Sequence, residues 1–211
     1  MFERRAQKLP HHQQHNMGDD MRHLFYSIIV LSVLGCSSIP PAQISSPDKV
    51  TGSAIVTDID GTLTPDVYSI KEVRPDAAEA INAIFNKGYK VIYVTTRIPL
   101  FQSGLQKWLN DNGFPAGTLH VAQTDEERNH PDKYKAGILK EYVHQGWQLS
   151  YAYGDSTTDF SAYGEVGIPK EKVFALKRRS SENCQDGSYQ KCLTGWTEYL
   201  PYIDKEIPTV K

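Results

Sequence analysis

Two aspartates, Asp58 and Asp60, stand one residue apart where the apolar run Ala54–Val56 ends, in "SAIVTDIDGTLTPD" (residues 53–66). Burying a carboxylate is costly unless a cation or hydrogen bonds compensate it. Magnesium is such a cation: it takes oxygen ligands, usually one or two carboxylates together with waters and substrate phosphate. A turn at Gly61 would aim both side chains into one cavity. Alone, "DG" is equally the mark of a tight loop.

Other stretches decide between the two. "VTTR" places Thr95 and Thr96 after a β-like run, at a height where a hydroxyl can hydrogen-bond a phosphoryl oxygen. Lys135, early in the helical stretch "HPDKYKAGIL", can neutralise phosphate charge, although a solvated surface lysine is the ordinary reading. "YGDSTTDF" brings Asp155 and Asp159 to the same edge. Four acids converging on one cavity repel strongly without a cation. Acids, hydroxyls and a lysine, each at a strand end or early in a helix, point together to a Mg²⁺ site that handles phosphate. Gly61, Thr62, Thr96 and Arg97 are expected to line the substrate.

The elements that must position these residues alternate. Strands are expected at Ser53–Thr57, Lys90–Val94, Leu119–Ala122, Leu149–Tyr153 and Val173–Leu176, rich in Val, Ile and Tyr. Between them lie the helical stretches "RPDAAEAINAIFNKG", "LFQSGLQKWLNDNG" and "PDKYKAGILKEYVHQG", each closed by a glycine. A shorter helix follows Ser156, and "TGWTEYLPYID" forms the last. This is an α/β, Rossmann-like parallel sheet of about five strands with helices on both faces. Ligands bind such sheets beyond the carboxyl ends of the strands, where Asp58 and Asp60 fall.

The 211 residues carry 23 basic and 25 acidic side chains, which excludes nucleic-acid binding by bulk charge. "MRHLFYSIIVLSVLGC" runs apolar from Leu24 to Leu34, too short for a bilayer span of about 20 residues and suited to a secretory signal. Its "VLGC" resembles a bacterial lipobox, so Cys36 is expected to carry lipid. Residues 1–20 then read as an upstream extension, 21–35 as the signal and 36–50, rich in Ser and Pro, as a flexible tether. The domain that carries the acidic site is expected over 51–205. The implied location is the bacterial envelope, anchored by lipid on the periplasmic side, with the outer membrane favoured. With Cys36 lipidated, Cys184 and Cys192 remain as a pair. Two free surface thiols are the alternative; a disulfide is the expectation for an exported chain.

The stretches "DIDGTLT", "KVIYVTTR", "LQKWLNDNGFPAGTLHV", "HPDKYKAGILKEY" and "AYGDSTTDFSAYGEVGIPKEKVFAL" resemble the haloacid-dehalogenase-like phosphatases. Within that superfamily they are most similar to lipin-type phosphatidate phosphatase domains and to the related C-terminal domain of membrane-associated phosphatidylinositol-transfer proteins. The resemblance implies that Asp58 is a nucleophile and that Asp60 is the acid and base, with its main-chain carbonyl on Mg²⁺. Thr95 and Lys135 would hold phosphoryl oxygens, and Asp155 would complete the metal shell with Asp159 as a second ligand or support. Asp155 stands where the lipin pattern has Asn. The segments between the motifs leave no room for a cap domain. An open site and a membrane anchor suit a phospholipid phosphomonoester; soluble phosphomonoesters and a non-catalytic phosphatidate-binding module are the alternatives. Lys177, Arg178 and Arg179 in "ALKRRSSEN" could meet anionic head groups or simply be solvated.

Overall fold

The computed structural model describes residues 39–48 and 52–210. The expected extension, signal and lipidated Cys36 lie outside the described residues.

Six strands form one parallel sheet in the order β3-β2-β1-β4-β5-β6. They are β1 (Gly52–Thr57), β2 (Lys90–Thr95), β3 (Thr118–Val121), β4 (Trp147–Gly154), β5 (Val173–Leu176) and β6 (Lys191–Leu193). The inner strands are apolar almost throughout because both faces are covered. Ile55 of β1 belongs to a core shared with Ile81 and Ile84 of α1 (Ala77–Asn86), Leu109 of α2 (Leu105–Asp111) and Ile203 of the last helix. Its neighbours Ala54 and Val56 face the opposite core, with Leu139 and Tyr142 of α4 (Pro131–His144) and Phe160 of α5 (Thr157–Glu165). The chain leaves β1 for β2 on one side and reaches β4 on the other. The carboxyl end of β1 is therefore the switch point at which such sheets open a crevice.

The five expected strands are present, and β6 is a sixth. "KCL" carries no β-like run of its own; the strand forms by pairing Phe174, Ala175 and Leu176 of β5 with Lys191, Cys192 and Leu193. The expected helix from Leu100 begins later. Residues Pro99–Phe101 make a 3₁₀ turn, and α2 starts after Gly104, whose φ of 79° an L side chain rarely adopts. A short helix, α3 (Asp125–Asn129), was not expected; a reciprocal capping box between Thr124 and Glu127 supports it. The last helix, α6, covers Leu200–Glu206.

The described part of the expected tether, residues 39–48, lies along the domain. Ile39 and Ile44 pack against the two cores, Gln123 Nε2 donates to the Ile39 carbonyl at 2.9 Å, and Trp147 Nε1 donates to that of Ser45 at 2.7 Å. Two isoleucines and available backbone carbonyls are enough to draw a Ser/Pro-rich segment onto the surface. Between β1 and β2 lie one loop and α1, and no cap domain is found among the described residues.

Candidate active site

Asp58 continues the β1 ladder, its N–H donating to the Tyr153 carbonyl at 3.0 Å. The chain then wraps around one acceptor: the Ile59 carbonyl takes the N–H groups of Thr62, Leu63 and Thr64 at 3.3, 2.9 and 3.0 Å. Gly61 makes this wrap possible. Its φ is 88°, and a side chain there would overlap the Asp155 carboxylate. Gly154 is needed for a similar reason, since an added Cβ would stand 2.6 Å from Asp159 Cβ.

Asp58 is 4% exposed. Its Oδ1 lies 2.5 Å from Lys135 Nζ, and its Oδ2 accepts from the Thr62 hydroxyl at 3.2 Å. Lys135, in the first turns of α4, also contacts Asp159 Oδ1 at 2.5 Å. The second oxygen of Asp159 caps α5, accepting from the N–H groups of Asp155 and Ser156 at 3.1 Å each and from the Ser156 hydroxyl at 2.8 Å. Burial pulls the Lys135 ammonium down, but Asp159 and Asp58 outweigh it and hold the lysine charged. Asp155, buried beside Asp159, is pushed up to about 7 by desolvation and by that neighbour, against the pull of Arg178. Burial likewise raises Asp58, and the other acids add to it against Lys135.

Asp60 points elsewhere. Its Oδ2 accepts from the Thr95 hydroxyl at 2.8 Å, and Arg97 grips it, Nη2 to Oδ1 at 2.5 Å and Nε to Oδ1 at 3.0 Å. The expected ligand set thus divides. Carboxylate oxygens of Asp58, Asp155 and Asp159 lie within 4.8 Å of one another, while the Asp60 carboxylate belongs to the Thr95–Arg97 group. Thr95 is at the predicted strand end but engages Asp60, and Arg97 binds the same acid. Thr96 is half-buried just beyond Thr95.

Three clustered, buried carboxylates fit a hard divalent cation, which prefers oxygen ligands. The formal charges agree. Asp58, Asp60, Asp155 and Asp159 contribute −4 and Lys135, Arg97 and Arg178 +3, so one divalent ion would turn −1 into +1 and favour an anionic substrate.

Two residues escaped the sequence reading. Arg178, expected to face head groups or solvent, turns inward and pairs with Asp155. Arg74 is 5% exposed and lies under the β1 loop, where Nη2 donates to the Gly61 carbonyl at 2.6 Å and Nη1 to that of Lys177 at 3.0 Å. Its partners lie up to 120 positions away, so no local pattern marks it. The role of Asp159 as a cap was legible in "STTD", a serine with an acid three positions on. The expected Cys184–Cys192 disulfide is present.

The loop bearing Asp58 at the switch point of this sheet, with a lysine and two further acids closing on it, defines a haloacid-dehalogenase-like α/β domain. A family model described as the LNS2 domain of PITM 1-3 matches residues 55–177, more than half of the chain, and the chain belongs to that family. Human membrane-associated phosphatidylinositol transfer protein 3 is 30% identical over 128 residues, covering 59% of this chain and 13% of that protein. Protein retinal degeneration B of Drosophila melanogaster is 30% identical over 126 residues, covering 58% of this chain and 10% of its own. The chain therefore spans about a tenth of the length of these relatives. Among solved structures, a chain of the Pnkp1/Rnl/Hen1 RNA repair complex shares the fold, with a TM-score of 0.52 at 16% identity over 70% of this chain and 48% of that one.

These relatives correct one expectation. They are animal proteins, two of them named as membrane-associated phosphatidylinositol transfer proteins, which overturns the placement on the periplasmic side of a bacterial envelope. That placement rested on an eleven-residue, mostly apolar run and one cysteine, Leu24–Leu34 and Cys36, too little pattern to specify a compartment.

Proposed function

We propose that residues 51–205 form a Mg²⁺-dependent phosphomonoester hydrolase that works through an aspartyl-phosphate, acting on phosphatidate or a related phospholipid phosphomonoester at a membrane surface. One observation carries the reading: Asp58 and Asp60 are both carboxylates on one loop, and Asp58 is held by Lys135.

Asp58 would attack phosphorus and displace the lipid alcohol, to which Asp60 would deliver a proton. Asp60 would then take a proton from water as that water attacks the acyl phosphate, which frees Asp58 and releases phosphate. Thr62 steadies the Asp58 carboxylate, and Lys135 supplies positive charge to the phosphoryl oxygens. Thr95 and Arg97 orient Asp60. Mg²⁺ held by Asp58, Asp155 and Asp159, with the Asp60 main-chain carbonyl, would neutralise charge on the phosphoryl group.

The lack of a cap among the described residues favours a substrate that stays embedded in a surface, as do relatives named for membrane association and phosphatidylinositol transfer. Those names also support a second reading, a lipid-binding module without turnover. The test is Mg²⁺-dependent phosphate release from phosphatidate vesicles compared with soluble phosphomonoesters. Preferential release from vesicles is expected. Equal or faster release from soluble esters would replace the lipid substrate, and binding of phosphatidate without release would replace the hydrolase.

A further inference from the structure

Of the six large apolar side chains exposed among the described residues, four lie on two loops at the carboxyl edge of the sheet. Ile98, Leu100 and Phe101 follow β2, and Tyr68 follows the Asp58 loop. Leu100 is 62% and Tyr68 92% exposed.

The first loop is stiff. Gln102, fully buried beneath it, donates to the carbonyls of Arg97 at 2.7 Å and Ala122 at 2.8 Å, and Pro99 restricts the 3₁₀ turn. The second loop is held from both sides. Trp108 Nε1 donates to the Lys71 carbonyl at 2.9 Å, and Arg179 Nη2 donates to the Ser69 hydroxyl at 2.9 Å. Between the loops runs an open groove of about 580 Å³, lined in part by Ile70, Lys71, Leu100, Phe101, Lys107 and Trp108. Arg97, which grips Asp60, lines the same groove, so the groove abuts the residue that holds Asp60.

Apolar side chains fixed on rigid, projecting loops cost solubility and do nothing for the core. Their surroundings are mixed in charge: Lys107 pairs with Asp111 in the groove and Arg179 with Glu72 beyond the second loop, while Lys71, in the groove, and Lys177 have no carboxylate partner among the described residues. An apolar tip with basic flanks is the arrangement that enters the interface of an anionic bilayer.

We infer that this rim is a membrane-docking surface: Tyr68, Ile98, Leu100 and Phe101 enter the interface between head groups and acyl chains, and Lys71 and Lys177 face anionic head groups. Docking this way would turn the mouth of the Asp58 site toward the lipid. The choice of a bilayer over a protein partner rests on the phospholipid reading above.

The test follows hydrogen–deuterium exchange of the full chain with phosphatidylcholine vesicles, with and without phosphatidate. Protection of residues 66–72 and 97–104 is expected with phosphatidate. It should disappear in Leu100→Glu/Phe101→Glu, whose hydrolysis of vesicle phosphatidate should fall about tenfold or more while hydrolysis of a soluble phosphomonoester is kept. Protection that is absent in wild type, or unchanged in the double variant, overturns docking at this rim. So does a concentration-dependent dimer abolished by the same substitutions, which would make the patch an interface between copies. Exchange does not depend on turnover. Protection in a chain that hydrolyses nothing refutes the hydrolase alone, and hydrolysis of soluble esters without protection refutes the docking alone.

Discussion

Lys135 Nζ lies 2.5 Å from Asp58 Oδ1, a contact between residues 77 positions apart, and both groups are out of solvent. Removing one partner of a buried ion pair typically costs about 3–5 kcal/mol, because the other charge is left uncompensated. Lys135 serves two acids, Asp58 and Asp159, so Lys135→Ala is expected to fall at the upper end of that range. Added Mg²⁺ should recover part of the loss if the acid cluster binds it. Denaturant unfolding with and without Mg²⁺ measures both, and a variant as stable as wild type would contradict the pairing.

Asp58→Asn is expected to abolish Mg²⁺-dependent phosphatase activity with the fold intact, since an amide oxygen cannot form the acyl phosphate. Asp60→Asn keeps one acceptor oxygen where Thr95 and Arg97 donate to two, and it loses the transferable proton, so it should cost about 10²–10⁴-fold in turnover. Steady-state rates with circular dichroism as a fold control are the measurement. Substantial activity in Asp58→Asn would refute the nucleophile.

Gly61→Ala introduces a Cβ at a φ of 88° directly against Asp155. A strained backbone of this kind costs about 1–3 kcal/mol, and displacement of Asp155 should weaken Mg²⁺ binding as well. Calorimetric titration of Mg²⁺ reads the second effect separately from a thermal melt. Unchanged Mg²⁺ affinity would mean that Asp155 is not a ligand.

His120 is buried with Nε2 2.9 Å from the Tyr142 hydroxyl, and burial, aided by the Lys90 charge, lowers its pKa to about 4. Between that value and the ordinary 6.5, the unfolded chain binds a proton that the folded chain does not. The contribution of this histidine to stability should therefore fall as pH drops through this window, by up to about 3 kcal/mol, while Asp155, raised to about 7, contributes with the opposite sign. His120→Gln should remove that contribution, read as the difference in slope between wild type and variant in urea unfolding from neutral pH down to about 4.5. An identical slope in the variant would assign the effect to other groups.

The Cys184–Cys192 bond closes a loop eight positions long and ties it to β6. Within that loop Gln185 and Asp186 accept from the N–H and hydroxyl of Thr157 at the start of α5, at 3.0 and 2.8 Å. Cys184→Ser/Cys192→Ser is expected to lose about 2–3 kcal/mol of stability by the chain-entropy argument, with little change in turnover. Thiol labelling of the unfolded, unreduced protein checks the bond itself; two reactive thiols would show it absent.

Local pattern was enough for most of the scaffold. Five strands were legible because inner parallel strands are apolar on both faces, and the helices because glycines stop them. Asp58, Lys135, Asp155 and Asp159 were legible as one site because the switch-point rule converts chain order into spatial convergence. β6 was not, because "KCL" becomes a strand only against β5. The partners of each charge were also beyond local pattern. Arg178 in a basic run gives no sign of turning in to Asp155, nor does Arg97 after "VTT" of gripping Asp60. Arg74 reaches carbonyls 103 and 120 positions away. Residue type and order say which charges exist; their pairing depends on which loops meet above the sheet, and long-range packing alone decides that.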